Sequence, residues 1–178
     1  MIYTIDTEFW ESGRKRPIEL ISLGVVAEDG RCYYATNSEF RWNLVPKDAW
    51  IQENVKPHLA DPRNKSMPNR TYTQMKQDLI MFFSQDTQPE FWGYYADYDW
   101  VVFCQIFGTM VELPKTFPQM CMDVNQTRKE LGLSKMAFPK QGSVEHNALN
   151  DAIWTMDCVR IMQAHKKAQL DRLGLGRV

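Results

Sequence analysis

The chain has little of what would place it outside the ordinary globular class. Its four cysteines, Cys32, Cys104, Cys121 and Cys158, are widely separated and form no CxxC pair. That spacing suggests neither a zinc site nor a disulfide framework, and the expectation is reduced thiols in a cytoplasmic protein. No apolar run is long enough to cross a bilayer, and Met1 is not followed by a basic and then an apolar segment, so neither a membrane partner nor a leader is expected. Charge of one sign is not in excess: 21 Lys+Arg stand against 22 Asp+Glu, a net charge of −1. With no global basic field, any nucleic acid must be held at a local site. Repeats, low-complexity segments and linkers are also missing. Residues 1–178 therefore read as one domain with enough chain for a full core.

What is present has the texture of an α/β protein. Residues 2–8 and 18–28 alternate with strand period, "EDG" at 28–30 signals a hairpin, and residues 31–36 form a third strand. The first 36 residues thus predict an antiparallel meander. Residues 47–55 form a short helix candidate, and residues 56–70, rich in Pro, Asn and charge, read as an exposed loop. Thr71 can cap a helix carrying Met75, Leu79, Phe82 and Phe83 at helical spacing. Residues 90–95 predict a buried strand, and a helix follows from about Asp97. A short strand and helix end at Gly132, and a long helix runs from about His146 to about Leu170. Three antiparallel strands followed by alternating helices and strands imply a central mixed five-stranded sheet flanked by helices.

Within this pattern the acids need an explanation. In "IDTEF", Asp6 and Glu8 are two apart on a strand and share a face, while Thr7 and Phe9 point the other way. Two carboxylates that close repel each other, and burying them without a partner costs several kcal/mol. A divalent cation removes the penalty, and oxygen ligands suit Mg²⁺ or Mn²⁺. The bland alternative is a strand end with two solvated acids. "YYADYDW" places Asp97 and Asp99 where a strand gives way to a helix, where either acid could simply cap. In "HNALNDA", Asp151 falls off the apolar stripe of Leu149, Ala152, Ile153, Met156 and Val159. Its own side carries Ala148, Thr155 and Cys158, small neighbours that suggest something packs there. A lone histidine such as His146 is ordinarily a surface or hydrogen-bonded residue.

Taken together and in this order, the three stretches resemble the DEDD exonucleases of the RNase H-like fold, in the subgroup that carries a histidine (DEDDh). Motif one is Asp6-x-Glu8, motif two ends in the aromatic–acid pair Tyr98-Asp99, and motif three is His146-x-x-x-x-Asp151. Residues 6–40 and 98–108 are similar, more closely, to the RNase AS polyadenylate-specific exoribonuclease family. One departure is that Gly93, Tyr94 and Tyr95 stand where the pattern usually has an Asn, which leaves Asp97 as an extra acid.

The resemblance implies 3′–5′ hydrolysis of single-stranded RNA to nucleoside 5′-monophosphates. Two Mg²⁺ or Mn²⁺ ions would be held by Asp6, Glu8, Asp99 and Asp151, with His146 as general base. It also implies a homodimer and an acid at Glu19 that reads the adenine amino group. Thr7, Phe9, Trp10, Tyr98 and Trp100 flank the acids as candidate substrate contacts, the aromatics by stacking. Arg14, Lys15 and Arg16 are candidates for phosphate. The competing readings are a proofreading-type single-stranded DNA exonuclease with the same metal chemistry and a non-catalytic nucleic-acid-binding module, which would have no need of the full acid set.

Overall fold

The computed structural model describes residues 1–14, 16–142 and 145–175. Six strands of the described residues make one mixed sheet: β1 (Ile2–Trp10), β2 (Glu19–Ala27), β3 (Cys32–Asn37), β4 (Asn69–Arg70), β5 (Glu90–Gly93) and β6 (Met122–Asp123), in the order β4-β3-β2-β1-β5-β6. β1, β2 and β3 form the expected antiparallel meander, turning at Gly30, whose φ of +92° is open to glycine at no steric cost. β5 then lies parallel to β1 and β6 parallel to β5. β1 is thus an interior strand with neighbours on both sides.

Among the described residues, five α-helices accompany the sheet: α1 (Trp50–Asn54), α2 (Tyr72–Phe82), α3 (Asp97–Phe107), α4 (Val124–Glu130) and α5 (Ala148–Arg172). α2 starts where Thr71 predicts: its hydroxyl accepts from Gln74 N–H while the Gln74 side chain accepts from Thr71 N–H, a capping box. α4 ends as Gly132 predicts, with Gly132 N–H bonded to Lys129 O and Leu133 N–H to Arg128 O in a Schellman arrangement. α2 and α3 cover one face of the sheet, where Tyr3, Ile5, Leu23, Val25 and Phe91 meet Met75, Leu79, Phe83 and Phe103. α5 covers the other, packing Ala148, Leu149, Ala152 and Met156 on Val26 and Tyr34. It approaches β2 so closely that a Cβ at Gly24 would lie 2.2 Å from the Ala148 carbonyl oxygen. The Thr4 hydroxyl donates to Ala152 O at 2.7 Å and pins the same helix to β1.

Four details depart from the sequence expectation. The sheet has six strands rather than five, because residues 56–70 are not a plain exposed loop. The two residues of β4 pair with β3, while Leu59 and Asp61 are buried. Asp61 accepts from the Arg63 backbone and guanidinium, so a polar segment satisfies its own groups locally. β5 stops at Gly93, and Tyr95 takes a φ of +59°, which no strand accommodates. α5 begins at Ala148, since His146 has a φ of +65° and Asn147 is the cap. Ile153 is 39% exposed and does not belong to the buried stripe. Among the described residues, no helix is long and apolar enough to cross a membrane.

Candidate active site

β1 delivers two acids to the face covered by α5. Asp6 and Glu8 project on that side, as period two requires, and Asp151 in the first turn of α5 comes down onto them. Asp6, Glu8 and Asp151 each offer an oxygen within 4.8 Å of the others. Asp6 is half-buried, Glu8 and Asp151 are buried, and no cationic side chain of the described residues forms an ion pair with any of them.

Asp99 arrives from the opposite side. Thr7 points away from Asp6 and Glu8 toward α3, and its backbone N–H and its hydroxyl both donate to Asp99 Oδ1, at 2.8 and 2.6 Å. Thr7 and Asp99 are 5% and 6% exposed, so these bonds lie out of water. The cap of α3 is Ala96, and neither Asp97 nor Asp99 caps it with a side chain. Asp97 is exposed and Asp99 is buried, which separates the two acids that the sequence left side by side.

The electrostatics are those of crowded anions. Burial pushes the Asp6 carboxyl well above its ordinary range, and repulsion from Asp99, Asp151 and Glu8 adds to this. Burial, then Asp151 and Asp99, raise Glu8 to about 8. Burial raises Asp99 to about 6 against the two Thr7 bonds, which pull it down. Burial also raises Asp151, opposed by hydrogen bonds from Gln141 and His146. Four carboxyls held in this way would each be easier to ionise beside a cation.

A groove of about 430 Å³ opens next to Glu8, lined by Thr7, Glu8, Phe9, Trp10, Trp50 and His146 among others. His146 N–H donates to Asp151 Oδ2 at 3.0 Å, so motif three is closed on itself through the main chain. Phe9 stacks on Tyr98 at 5.5 Å and 10°. Trp10 packs edge-on to Phe40 at 6.2 Å. Trp100 does not join the groove: its indole lies in the core between Phe91 and Phe103, with its N–H unpartnered. Glu19 pairs across the sheet with Trp10 but lines a separate concavity, where Arg41 lies 3.3 Å away. Arg14 and Arg16 are exposed, and Lys15 lies outside the described residues.

Two contributors escaped sequence reasoning, and Thr7, expected as a substrate contact, also holds Asp99. Gln141 donates to Asp151 Oδ1 from the loop before motif three. Trp50 forms a groove wall. Alternation did put Thr7 on the α3 face. Nothing local in the sequence singles out the other two.

Comparison with known proteins gives consistent findings. A family model described as the 3′-5′ exoribonuclease Rv2179c-like domain matches residues 1–163. Two curated relatives from Mycobacterium tuberculosis are the 3′-5′ exoribonuclease MT2234.1 (strain CDC 1551 / Oshkosh) and the 3′-5′ exoribonuclease Rv2179c (strain ATCC 25618 / H37Rv). Each is 39% identical over 154 residues, covering 85% of this chain and 87% of the relative.

Proposed function

Since this chain belongs to the 3′-5′ exoribonuclease Rv2179c-like domain family, we propose that it is a metal-dependent exoribonuclease of the DEDDh type. In this reading it removes nucleoside 5′-monophosphates from single-stranded RNA 3′ ends and favours adenylate. The observation that carries the reading is the convergence of Asp6, Glu8 and Asp151 oxygens within 4.8 Å, from the first strand and the last helix. The donor set fits the group it would hold: the ligands are all carboxylate oxygens, which suit a hard cation, Glu8 and Asp151 are buried and Asp6 half-buried, and among the described residues none forms an ion pair with a basic side chain. Mg²⁺ or Mn²⁺ bound by Asp6, Glu8, Asp99 and Asp151 would supply Lewis-acid chemistry, acidifying a water and stabilising a leaving oxygen.

The chain's own residues do the rest. Thr7 fixes Asp99 through Oδ1. His146, on the wall of the groove that Glu8 lines, takes the proton from the attacking water. Phe9 and Trp10, which line the same groove, hold unstacked bases of the strand end. Glu19 accepts from the adenine amino group, and the enzyme works as a homodimer. The choice of RNA over DNA rests on the names of the relatives.

The test is degradation of 5′-labelled A-, C- and U-homopolymer RNA and single-stranded DNA in Mg²⁺, comparing the parent with Asp6→Asn and Glu19→Ala. A ladder growing from the 3′ end is expected for RNA, fastest for A, with Asp6→Asn slower by at least about 10²-fold and Glu19→Ala levelling the homopolymers. Intact substrates throughout, or Asp6→Asn cutting as fast as the parent, would refute the enzyme reading. DNA cut faster than RNA would favour the proofreading type. Light scattering on a sizing column checks the dimer.

A further inference from the structure

Trp50 has more to do in the groove than form a wall. It opens α1, is 56% exposed, and sets its indole nearly perpendicular to the His146 imidazole, with ring centroids 4.7 Å apart and an interplanar angle of 85°.

The supports on both sides of this contact are rigid. α1 docks through Ile51 and Val55 onto Ile21, Phe40, Val45 and Leu59, which leaves Trp50 turned to the groove. On the other side, His146 N–H is fixed to Asp151 Oδ2. The next residue, Asn147, is 1% exposed, and its amide donates to His58 O, Ala60 O and the Tyr34 hydroxyl. Those carbonyls follow α1 directly in the chain, so the segment bearing Trp50 and the segment bearing His146 are bonded to each other. The fold therefore sets the spacing of the two rings.

The main-chain bonds fix where His146 begins, at a φ of +65°, but they do not fix its side-chain torsions. Among the described residues the imidazole makes no hydrogen bond, and its ring contact is with Trp50. In many hydrolases a third group orients the base. A base free to turn spends part of its time out of reach of its proton, and small misplacements cost large factors in rate.

We propose that Trp50 is a positioning residue that holds the His146 imidazole at the groove wall beside Glu8, filling the place a carboxylate takes elsewhere. The proposal rests on His146 being the general base. An exposed indole at the mouth of a groove could instead stack a base of the RNA, and the experiment separates the two roles.

The chain has three histidines, so individual imidazole proton resonances can be followed by NMR in the metal-free protein. Trp50→Ala is expected to move the His146 ring resonances by removing the indole ring current and to leave those of His165 in place. Trp50→Phe should shift His146 only partly. In kinetics on A-homopolymer, Trp50→Ala is expected to lower kcat about tenfold with KM within about twofold, Trp50→Phe to recover most of that loss, and Trp50→Ala to add less than about twofold in a His146→Ala background. A raised KM with kcat kept, undiminished in the His146→Ala background, would make Trp50 a stacking platform and overturn the proposal. Unmoved His146 resonances in Trp50→Ala, with His146→Ala impaired as expected, would overturn the proposal alone. Full activity of His146→Ala would remove the base assignment and the proposal together.

Discussion

Asp99 illustrates how much of this site is decided one side chain at a time. Its neighbour Asp97, two residues earlier on the same helix turn, is solvated, while Asp99 is buried and bonded twice by Thr7. Both bonds fall on Oδ1, and Asp99 sits close enough to Asp6 to raise its proton affinity. Thr7 thus couples motif one to motif two: the strand that carries Asp6 and Glu8 also orients the acid on α3. Removing the hydroxyl with Thr7→Val keeps the volume and the backbone bond but leaves one acceptor site on a buried carboxylate unmet. A hydrogen bond to a charged group is worth about 1.5–3 kcal/mol. Calorimetric titration with Mn²⁺ should therefore show affinity reduced by roughly tenfold or more, with Thr7→Ser close to the parent. Equal Mn²⁺ binding by Thr7→Val and the parent would mean that the hydroxyl does not orient Asp99 for metal.

At the scale of elements, the position of α5 decides whether Asp151 meets β1 at all. The helix can sit this close only because Gly24, the cross-strand partner of Asp6, has no side chain. A methyl there would meet the backbone of Ala148 and Leu149 at 2.2–2.5 Å, and a helix backbone cannot yield as a flexible side chain can. Gly24→Ala should push the N-terminus of α5 outward and destabilise the fold by about 3 kcal/mol, the upper end of ordinary overpacking. Weakened Mn²⁺ binding should accompany the loss, because Asp151 moves with the helix. Urea denaturation with a midpoint unchanged from the parent would contradict this.

How far such elements can be read in advance depends on where their determinants lie. α2 and α4 were legible because a capping box and a glycine in left-handed conformation are local signals. The meander was legible from alternation and one turn, and the acids of motif one from the same period. β4 was not, because its order comes from bonds such as Ser38 N–H to Arg70 O and Thr36 N–H to Pro68 O, which join distant segments. The sequence pattern puts the start of α5 two residues early, because His146 adjoins a helical stretch in sequence but has a left-handed backbone in the fold. Trp50 was invisible for the same kind of reason: its partner is His146, far along the chain, and "DAWIQ" holds no trace of it.

For the molecule as a whole, gathering four carboxyls into one place makes stability depend on pH in an unusual direction. The folded values of Glu8, about 8, and Asp99, about 6, lie above the ordinary 4.5 and 3.8, and Asp6 and Asp151 are raised as well. A raised carboxyl means that the folded state holds its proton when the unfolded chain has released it. Over that interval the folded state binds more protons, so unfolding free energy falls as pH rises. The favourable contribution is complete below about pH 4 and is lost progressively up to about pH 6 for Asp99 and about pH 8 for Glu8, at no more than about 1.4 kcal/mol per pH unit for each carboxyl, and Asp6 and Asp151 act in the same direction. Asp61 and Asp86 act the other way: their lowered values, from Arg63 and from the amino terminus opposing burial, contribute above about pH 4 and fail only in stronger acid. In EDTA, thermal unfolding should therefore show highest stability near pH 4–5 and a decline toward pH 8. Glu8→Gln, which cannot ionise, should flatten the upper part of that decline. Mg²⁺ should reverse it, since a cation binds the deprotonated cluster and stabilises the fold more as pH rises. A flat or rising profile in EDTA between pH 5 and 8, or a Glu8→Gln profile parallel to the parent, would show that the carboxyls do not repel one another in the folded protein, and the case for a cation between them would lose its electrostatic basis.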